Sequence, residues 1–227
     1  MSQGFQGVAA LVLVAGAAAS GVAMAQSAGS VLARVSATQL KPDVNSGNLS
    51  APVLFGGSQI DMKADSQPTA GLTYMLTDNI ALDLPLSAGF KHDIVGAGAI
   101  GGVGKVGEVK WLPISLMAQW RLFDAQAPLR PYLGVGPTYA RFYKARSTAA
   151  LTALTGGTPA SPTTIDVDSK WALSVKAGAS YMVGPRWFID ASVQKTALKT
   201  RMRLSSGQSL DAELDPWLLS LGFGYKF

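Results

Sequence analysis

Residues 217–227 alternate in character. Trp217, Leu219, Leu221, Phe223, Tyr225 and Phe227 fall on one parity, and Ser220, Gly222, Gly224 and Lys226 on the other. A side-chain period of two belongs to a β-strand with two unlike faces. The same alternation recurs in about eight stretches of roughly 10–15 residues along the chain. They are Ser30–Lys41, the runs PTAGLTYMLTD and NIALDLPLSAGF, EVKWLPISLMAQWRLF, RPYLGVGPTYARFY, SKWALSVKAGASYMV, RWFIDASVQKTAL, and a last strand from Leu210 to Phe227. Short turns near residues 78, 126 and 185 alternate with long connections at 42–66, 92–107, 145–167 and 202–209. The long ones are rich in Gly, Ser, Thr, Ala and Pro.

The N-terminus breaks this rhythm. Val8 to Ala19 is an apolar run followed by Ala23-Met24-Ala25, the signature of an export signal with a small-residue cleavage site before Gln26. The run is too short to span a bilayer as a helix, which needs about 20 apolar residues. Residues 1–25 are therefore expected to be a removed leader and 26–227 the folded unit. No later apolar run reaches the length of a helical span.

Composition closes off several function classes. Among 227 residues there is no cysteine and one histidine, His92, so thiolate metal sites and His-based metal cages are not expected. The net charge of +5 is dispersed, without the basic stripe of a nucleic-acid surface. Gly96 to Gly107 superficially suggests a nucleotide loop but lacks the strand-to-helix setting; it is expected to be a flexible outer loop. No cofactor is implied.

Short turns at one end, long connections at the other and two-faced strands predict an all-β fold, an eight-stranded antiparallel transmembrane barrel with short periplasmic turns and long extracellular loops. In the fourth strand Leu112, Ile114, Leu116, Ala118, Trp120 and Leu122 would face lipid, with Trp111, Ser115, Met117, Gln119 and Arg121 inside. In the sixth, Trp171, Leu173, Val175, Ala177, Ala179 and Tyr181 would face outward, with Lys170, Ser174, Lys176 and Ser180 inward. A soluble lipocalin-like or sandwich fold would turn the apolar face in, and parity alone does not separate the two. Continuous apolar faces of about ten residues and the need to close sheet edges in lipid favour the membrane barrel.

Five blocks then resemble the OmpW family in that family's order: Tyr74 to Ile94, Leu112 to Leu122, Arg130 to Phe142, DSKWAL, and Leu214 to Phe227. The resemblance implies an outer-membrane barrel of a Gram-negative bacterium with a narrow, partly apolar lumen, associated with passive uptake of small hydrophobic compounds, some members resembling alkane importers. It also implies that Phe227 is part of the signal read by the barrel-assembly machinery. Outer-membrane lipids and small hydrophobic solutes are the remaining expected partners.

Sorting the inward parity by depth predicts a site. Leu40, Trp111, Pro113, Phe142, Leu198, Leu214 and Leu218 would form an apolar funnel open to the outside. Arg34, Asp83, Gln119, Arg121, Lys176, Asp190 and Gln194, with Lys226 lower down, would form a polar plug, because eight strands leave a bore that side chains can fill. An apolar solute would then leave sideways through the wall. Two other readings stay open. One is a structural or surface-interaction barrel acting through its loops. The other is a rim-located lipid-modifying enzyme built on His92, Asp93 and Ser87, which is disfavoured because adjacent strand residues point to opposite faces and no acid is placed to orient the imidazole.

Overall fold

The computed structural model describes residues 26–50 and 56–227. The expected leader, residues 1–25, lies outside the described residues. The described chain forms β1 (Val31–Lys41), β2 (Asn45–Ser46), β3 (Ser58–Met62), β4 (Asp65–Met75), β5 (Ile80–Leu86), β6 (Phe90–Gly98), β7 (Lys105–Ser115), β8 (Met117–Arg121), β9 (Leu129–Ser147), α1 (Ala149–Leu154), β10 (Ile165–Val167), β11 (Lys170–Met182), β12 (Trp187–Ala197), β13 (Lys199–Leu204), β14 (Ser209–Glu213) and β15 (Trp217–Lys226).

Eight strands close a barrel in the order β11-β12-β15-β1-β4-β5-β8-β9, with β9 pairing back onto β11. Every ladder is antiparallel. The first and last strands meet: Leu32 pairs with Lys226 and Lys41 with Trp217, and the Phe227 amide donates to the Val31 carbonyl at 2.9 Å. Closure leaves each of the eight strands with a partner on both sides, as hydrocarbon demands.

The outward parity is apolar, as alternation requires. Val35, Leu72, Leu82, Leu133, Val175 and Leu221 all lie exposed on the wall. Aromatic rings mark both rims. Trp187 stacks on Phe223 and meets Tyr225 edge-on at the end that carries the short turns. At the other rim Tyr139 packs on Trp171, and the Lys195 ammonium lies 4.7 Å above the Trp217 ring. These belts fit side chains with an apolar body and a polar tip at the two interfaces.

The long connections depart from expectation. They are not loose loops but extend the wall outward. The segment 92–107 is mostly the β6–β7 hairpin, closed by a turn at 99–104. Its glycines permit close packing: a Cβ at Gly96 would lie 2.4 Å from the Ile100 carbonyl oxygen. The alternation of Phe90, His92 and Ile94 into the buried face continues through a run whose glycine content hid it. Segment 145–167 holds the end of β9, then α1, capped by the Thr148 side chain accepting from the Leu151 amide, then β10. Strand β10 joins β13, β14 and β2 in a second, four-stranded sheet, so 202–209 is a hairpin tip and 42–66 carries β2 and β3. The last strand is also not continuous. It breaks at Leu214–Pro216, where Asp215 has φ +26° and its carboxylate accepts from the Leu198 amide at 2.9 Å.

Candidate functional site: a layered bore with a gap in its wall

The inward parity sorts into layers. Outermost is an apolar cluster drawn from the barrel top and both extensions. It contains Leu40, Trp111, Phe142, Leu198 and Leu214, joined by Phe90, Ile94, Leu151, Ile165 and Met202. Five of the seven residues expected in a funnel therefore meet here. Leu218 packs on the cluster from below, and Pro113 lies with it on the wall of a cavity one layer deeper. Two small cavities flank the aromatic part of this cluster. The upper one, ≈ 20 Å³, is apolar and lined by Ile60, Ile94, Ile100, Leu151 and Met202 among others. The lower one, ≈ 40 Å³, lies under Phe90.

Hydroxyl side chains recur around the lower cavity: Ser36, Thr38, Thr69, Ser87, Ser115, Ser192 and Ser220 line it. Much of this belt is internally bonded. Ser115, Thr138, Ser174 and Thr196 form a chain with oxygen separations of 2.7, 2.6 and 2.7 Å, and Thr38 bridges Thr69 and Ser220 at 2.7 and 2.9 Å. Gln194, expected in the plug, stands where the two levels meet: the ladders pair it with Lys176 on one side and Leu218 on the other, and it lines the lower cavity together with Arg34 and Lys176. Sequence reasoning missed the belt. Its signal was the recurrence of Ser and Thr at matching inward positions on neighbouring strands.

Charges fill the next layer. Asp83 is 0% exposed and accepts from both Arg34 terminal nitrogens at 2.7 and 3.0 Å, from Thr73 at 2.6 Å and from Lys176 at 2.9 Å. Asp190 accepts from the Tyr132 hydroxyl at 3.0 Å and lies 3.8 Å from Arg34 Nε. Gly71 leaves the space the Arg34 guanidinium occupies; a Cβ there would sit 2.7 Å from its central carbon. Arg121 has no carboxylate partner among the hydrogen bonds of this layer. It donates to Ser180 at 2.7 Å and lies 4.9 Å from the Tyr132 ring centroid, with Asp190 engaged elsewhere. Gln119 is buried beside it with neither amide atom bonded among the described residues. Three cations (Arg34, Arg121, Lys176) against two carboxylates (Asp83, Asp190) leave this layer one positive charge in excess. Burial of ions is tolerable only with such mutual pairing.

Beneath the charges Leu32, Met75, Ala81, Met182 and Phe188 make a second apolar layer. Arg130 then ties the short-turn end together through the carbonyls of Gln26, Asp78 and Phe123. Neither feature was anticipated, although Met75, Ala81 and Phe188 share the inward parity of Thr73, Asp83 and Asp190. Lys226 sits half-buried at this end, and Lys170 is exposed at the opposite mouth rather than inside, where it pairs with Asp168 at 3.3 Å.

The wall itself has a gap. The β4–β5 ladder stops at Ala70↔Leu86 and the β5–β8 ladder at Asp83↔Met117. Above them the chain turns through 87–89 before β6 begins and pairs with β3 and β7 instead. Pro85 and Pro113 border this region and carry no N–H to bridge it. The lower cavity reaches it: its lining includes the inward Arg34, Ser115 and Lys176 together with Ala70 and Leu86 from the outward parity.

His92, Asp93 and Ser87 are not assembled into a relay. The His92 ring is 0% exposed and its Nδ1 lies 2.8 Å from the Lys63 carbonyl, whereas Asp93 faces the other way and binds Lys105 at 2.7 Å. The Ser87 hydroxyl has no hydrogen-bond partner among the described residues. Among the described residues no cluster of His, Cys, Asp or Glu could hold a metal ion.

Comparison with known proteins bears on this geometry. Residues 27–227 match the sequence profile of the OmpW family. Outer membrane protein W of Vibrio cholerae serotype O1 is 32% identical over 176 residues, covering 75% of this chain and 78% of the relative. The protein of that name from Escherichia coli K12 is 30% identical over 211 residues, 92% and 93% of the two chains. The crystal structure of the outer membrane protein OprG from Pseudomonas aeruginosa superposes with a TM-score of 0.80, covering 90% of this chain and 98% of that one at 23% identity.

Proposed function

This chain belongs to the OmpW family of outer-membrane barrels, and on that premise we propose that it gives passive passage to small apolar solutes, admitted through the outer apolar layer and released sideways into the bilayer. The observation that carries the reading is the lower cavity, which lies above the charged layer and extends to the unpaired stretch of wall beside Ala70, Leu86 and Ser87. An apolar solute gains roughly 25 cal/mol per Å² of its surface that leaves water for the outer cluster. It gains nothing from Asp83, Arg34 and Lys176, whose bonds it would have to break. The gap opens instead onto a lipid-facing surface of Leu84 and Leu86. Downhill flow then needs no energy source.

A second reading finds support in the outer sheet, where Arg201 with Asp211, Arg203 with Asp168 and Lys199 with Glu213 line an open charged cleft suited to a surface interaction. Uptake separates the two. Cells expressing the barrel should accumulate an apolar solute faster than cells lacking it, and Ser87→Trp, which fills the gap, should depress that rate at matched amounts of folded protein. No acceleration by the wild type would favour the surface reading.

A further inference from the structure

Two polar atoms in the outer layer have no partner. Trp111 Nε1 and His92 Nε2 are both buried and unbonded among the described residues. Their side chains are 1% and 0% exposed, and the rings touch, with centroids 5.8 Å apart. Buried polar atoms are rarely left in this state, and each instance asks for an explanation.

Their chemistry is complementary. The Lys63 carbonyl can only accept, so the proton of His92 resides on Nδ1 and the Nε2 lone pair is bare. The Trp111 indole can only donate. Burial lowers the His92 pKa below its ordinary value, which keeps the ring neutral and the lone pair available. One face of the throat thus carries an acceptor beside a donor in an otherwise apolar layer.

Their position is on the route. Phe90, His92 and Ile94 alternate inward on β6; Phe90 lines the lower cavity and Ile94 the upper one, which puts His92 between them. Phe90, His92, Trp111 and Phe142 form a continuous row of rings with centroid separations of 6.4, 5.8 and 5.2 Å. The row begins at Phe90 on the lower cavity, and its second ring, His92, lies between that cavity and Ile94 on the upper one. Immediately below lies the hydroxyl belt, including the unpartnered Ser87 hydroxyl.

We infer that the solutes this barrel favours are neutral, mono-oxygenated apolar molecules of the aliphatic-alcohol class, recognised at the throat by Trp111 and His92, rather than bare hydrocarbons. This rests on the passage function proposed above. An alcohol hydroxyl donates to His92 Nε2 and accepts from Trp111 Nε1, satisfying both atoms at once. A ketone can satisfy only the indole, and an alkane neither. A carboxylate is excluded on different grounds: Arg34 and Lys176, the cations beneath, are already engaged by Asp83, and the ion would enter the apolar layer without a counter-charge.

The test compares octane, 2-octanone and 1-octanol at equal mole fraction in lipid. In nanodisc-embedded protein, the indole N–H resonance of Trp111, assigned with Trp111→Phe, should move downfield with 1-octanol, less with 2-octanone and not with octane. The four lipid-facing tryptophans, at 120, 171, 187 and 217, serve as internal controls. In whole cells with an intact outer membrane, the 1-octanol to octane uptake ratio should fall about threefold to tenfold in His92→Phe, the worth of one neutral hydrogen bond. Equal responses of Trp111 to all three probes, or an unchanged uptake ratio in His92→Phe, would overturn the inference while leaving passage intact. Failure of the barrel to accelerate any of the three solutes would instead overturn the passage function itself.

Discussion

Replacing Asp83 by Asn removes one charge and almost no volume, so it isolates what the carboxylate does in the bore. The carboxylate accepts four hydrogen bonds, three of them from Arg34 and Lys176. An amide keeps one accepting oxygen and turns an N–H₂ group toward those donors. The layer's excess rises from one positive charge to two. At an effective dielectric constant of about 20, each charge pair near 4 Å is worth about 4 kcal/mol before desolvation is counted. Removing one member of a buried pair typically costs about 3–5 kcal/mol, and that loss is expected here. Urea unfolding in lipid vesicles, followed by tryptophan fluorescence and extrapolated linearly to water, measures it. Adding Lys176→Met to Asp83→Asn removes one stranded cation and should restore most of the loss. A single variant within about 1 kcal/mol of wild type, or a double variant no better than the single, would refute the view that Asp83 holds the layer together.

Three further outcomes are expected. Leu219→Arg places a charge on the lipid face, where Leu219 is half exposed between Gln39 and Val193; near the midplane it should cost about 2–4 kcal/mol in the same unfolding assay, and a neutral result would mean the faces are reversed. Phe227→Ser should lower the amount of folded barrel recovered from the outer membrane, read by heat-modifiable gel mobility, if the terminal phenylalanine is what the assembly machinery reads. His92, which lies beyond the outer aromatic rim and whose nearest carboxylates are Asp65 and Asp93, has a pKa pushed down by burial. The opened outer assembly, with an imidazole near its ordinary value of about 6.5, therefore binds more protons than the closed one. Stability should be complete above that value and decline as the pH falls below it, seen as lower amide protection factors in β6 and β7, after correction for the base-catalysed intrinsic exchange rate, at pH near 5.5 than near 7.5; His92→Phe should lose this dependence.

How much of this was legible in the sequence varies with the kind of residue. Parity alone located the lipid face of β8, β11 and β15 and the inward Arg34, Asp83, Lys176 and Asp190, because a period of two fixes facing once a strand is recognised. Depth was harder. Register decides height and is not written in one strand: only the ladders show that Gln194 stands between Lys176 and Leu218, where the charged layer meets the belt above it. The β6–β7 hairpin was mistaken for a loose loop because glycine, which usually interrupts strands, here makes room for Ile100. Partnerships were least legible. That Arg121 binds Ser180, and that Trp111 Nε1 and His92 Nε2 lack partners among the described residues, depends on which side chains reach across the bore.

Uptake in Phe142→Asp bears most directly on passage through the outer layer. Phe142 packs on Trp111 within that layer and takes no part in the charged one beneath. A carboxylate there strips apolar contact from the route and draws water into it. Initial uptake of 1-octanol and octane by whole cells, at matched amounts of folded barrel, should fall about tenfold or more, a barrier increment of about 1.4 kcal/mol or above. Uptake in Phe142→Asp equal to wild type for both solutes would mean that they do not travel through this layer at all.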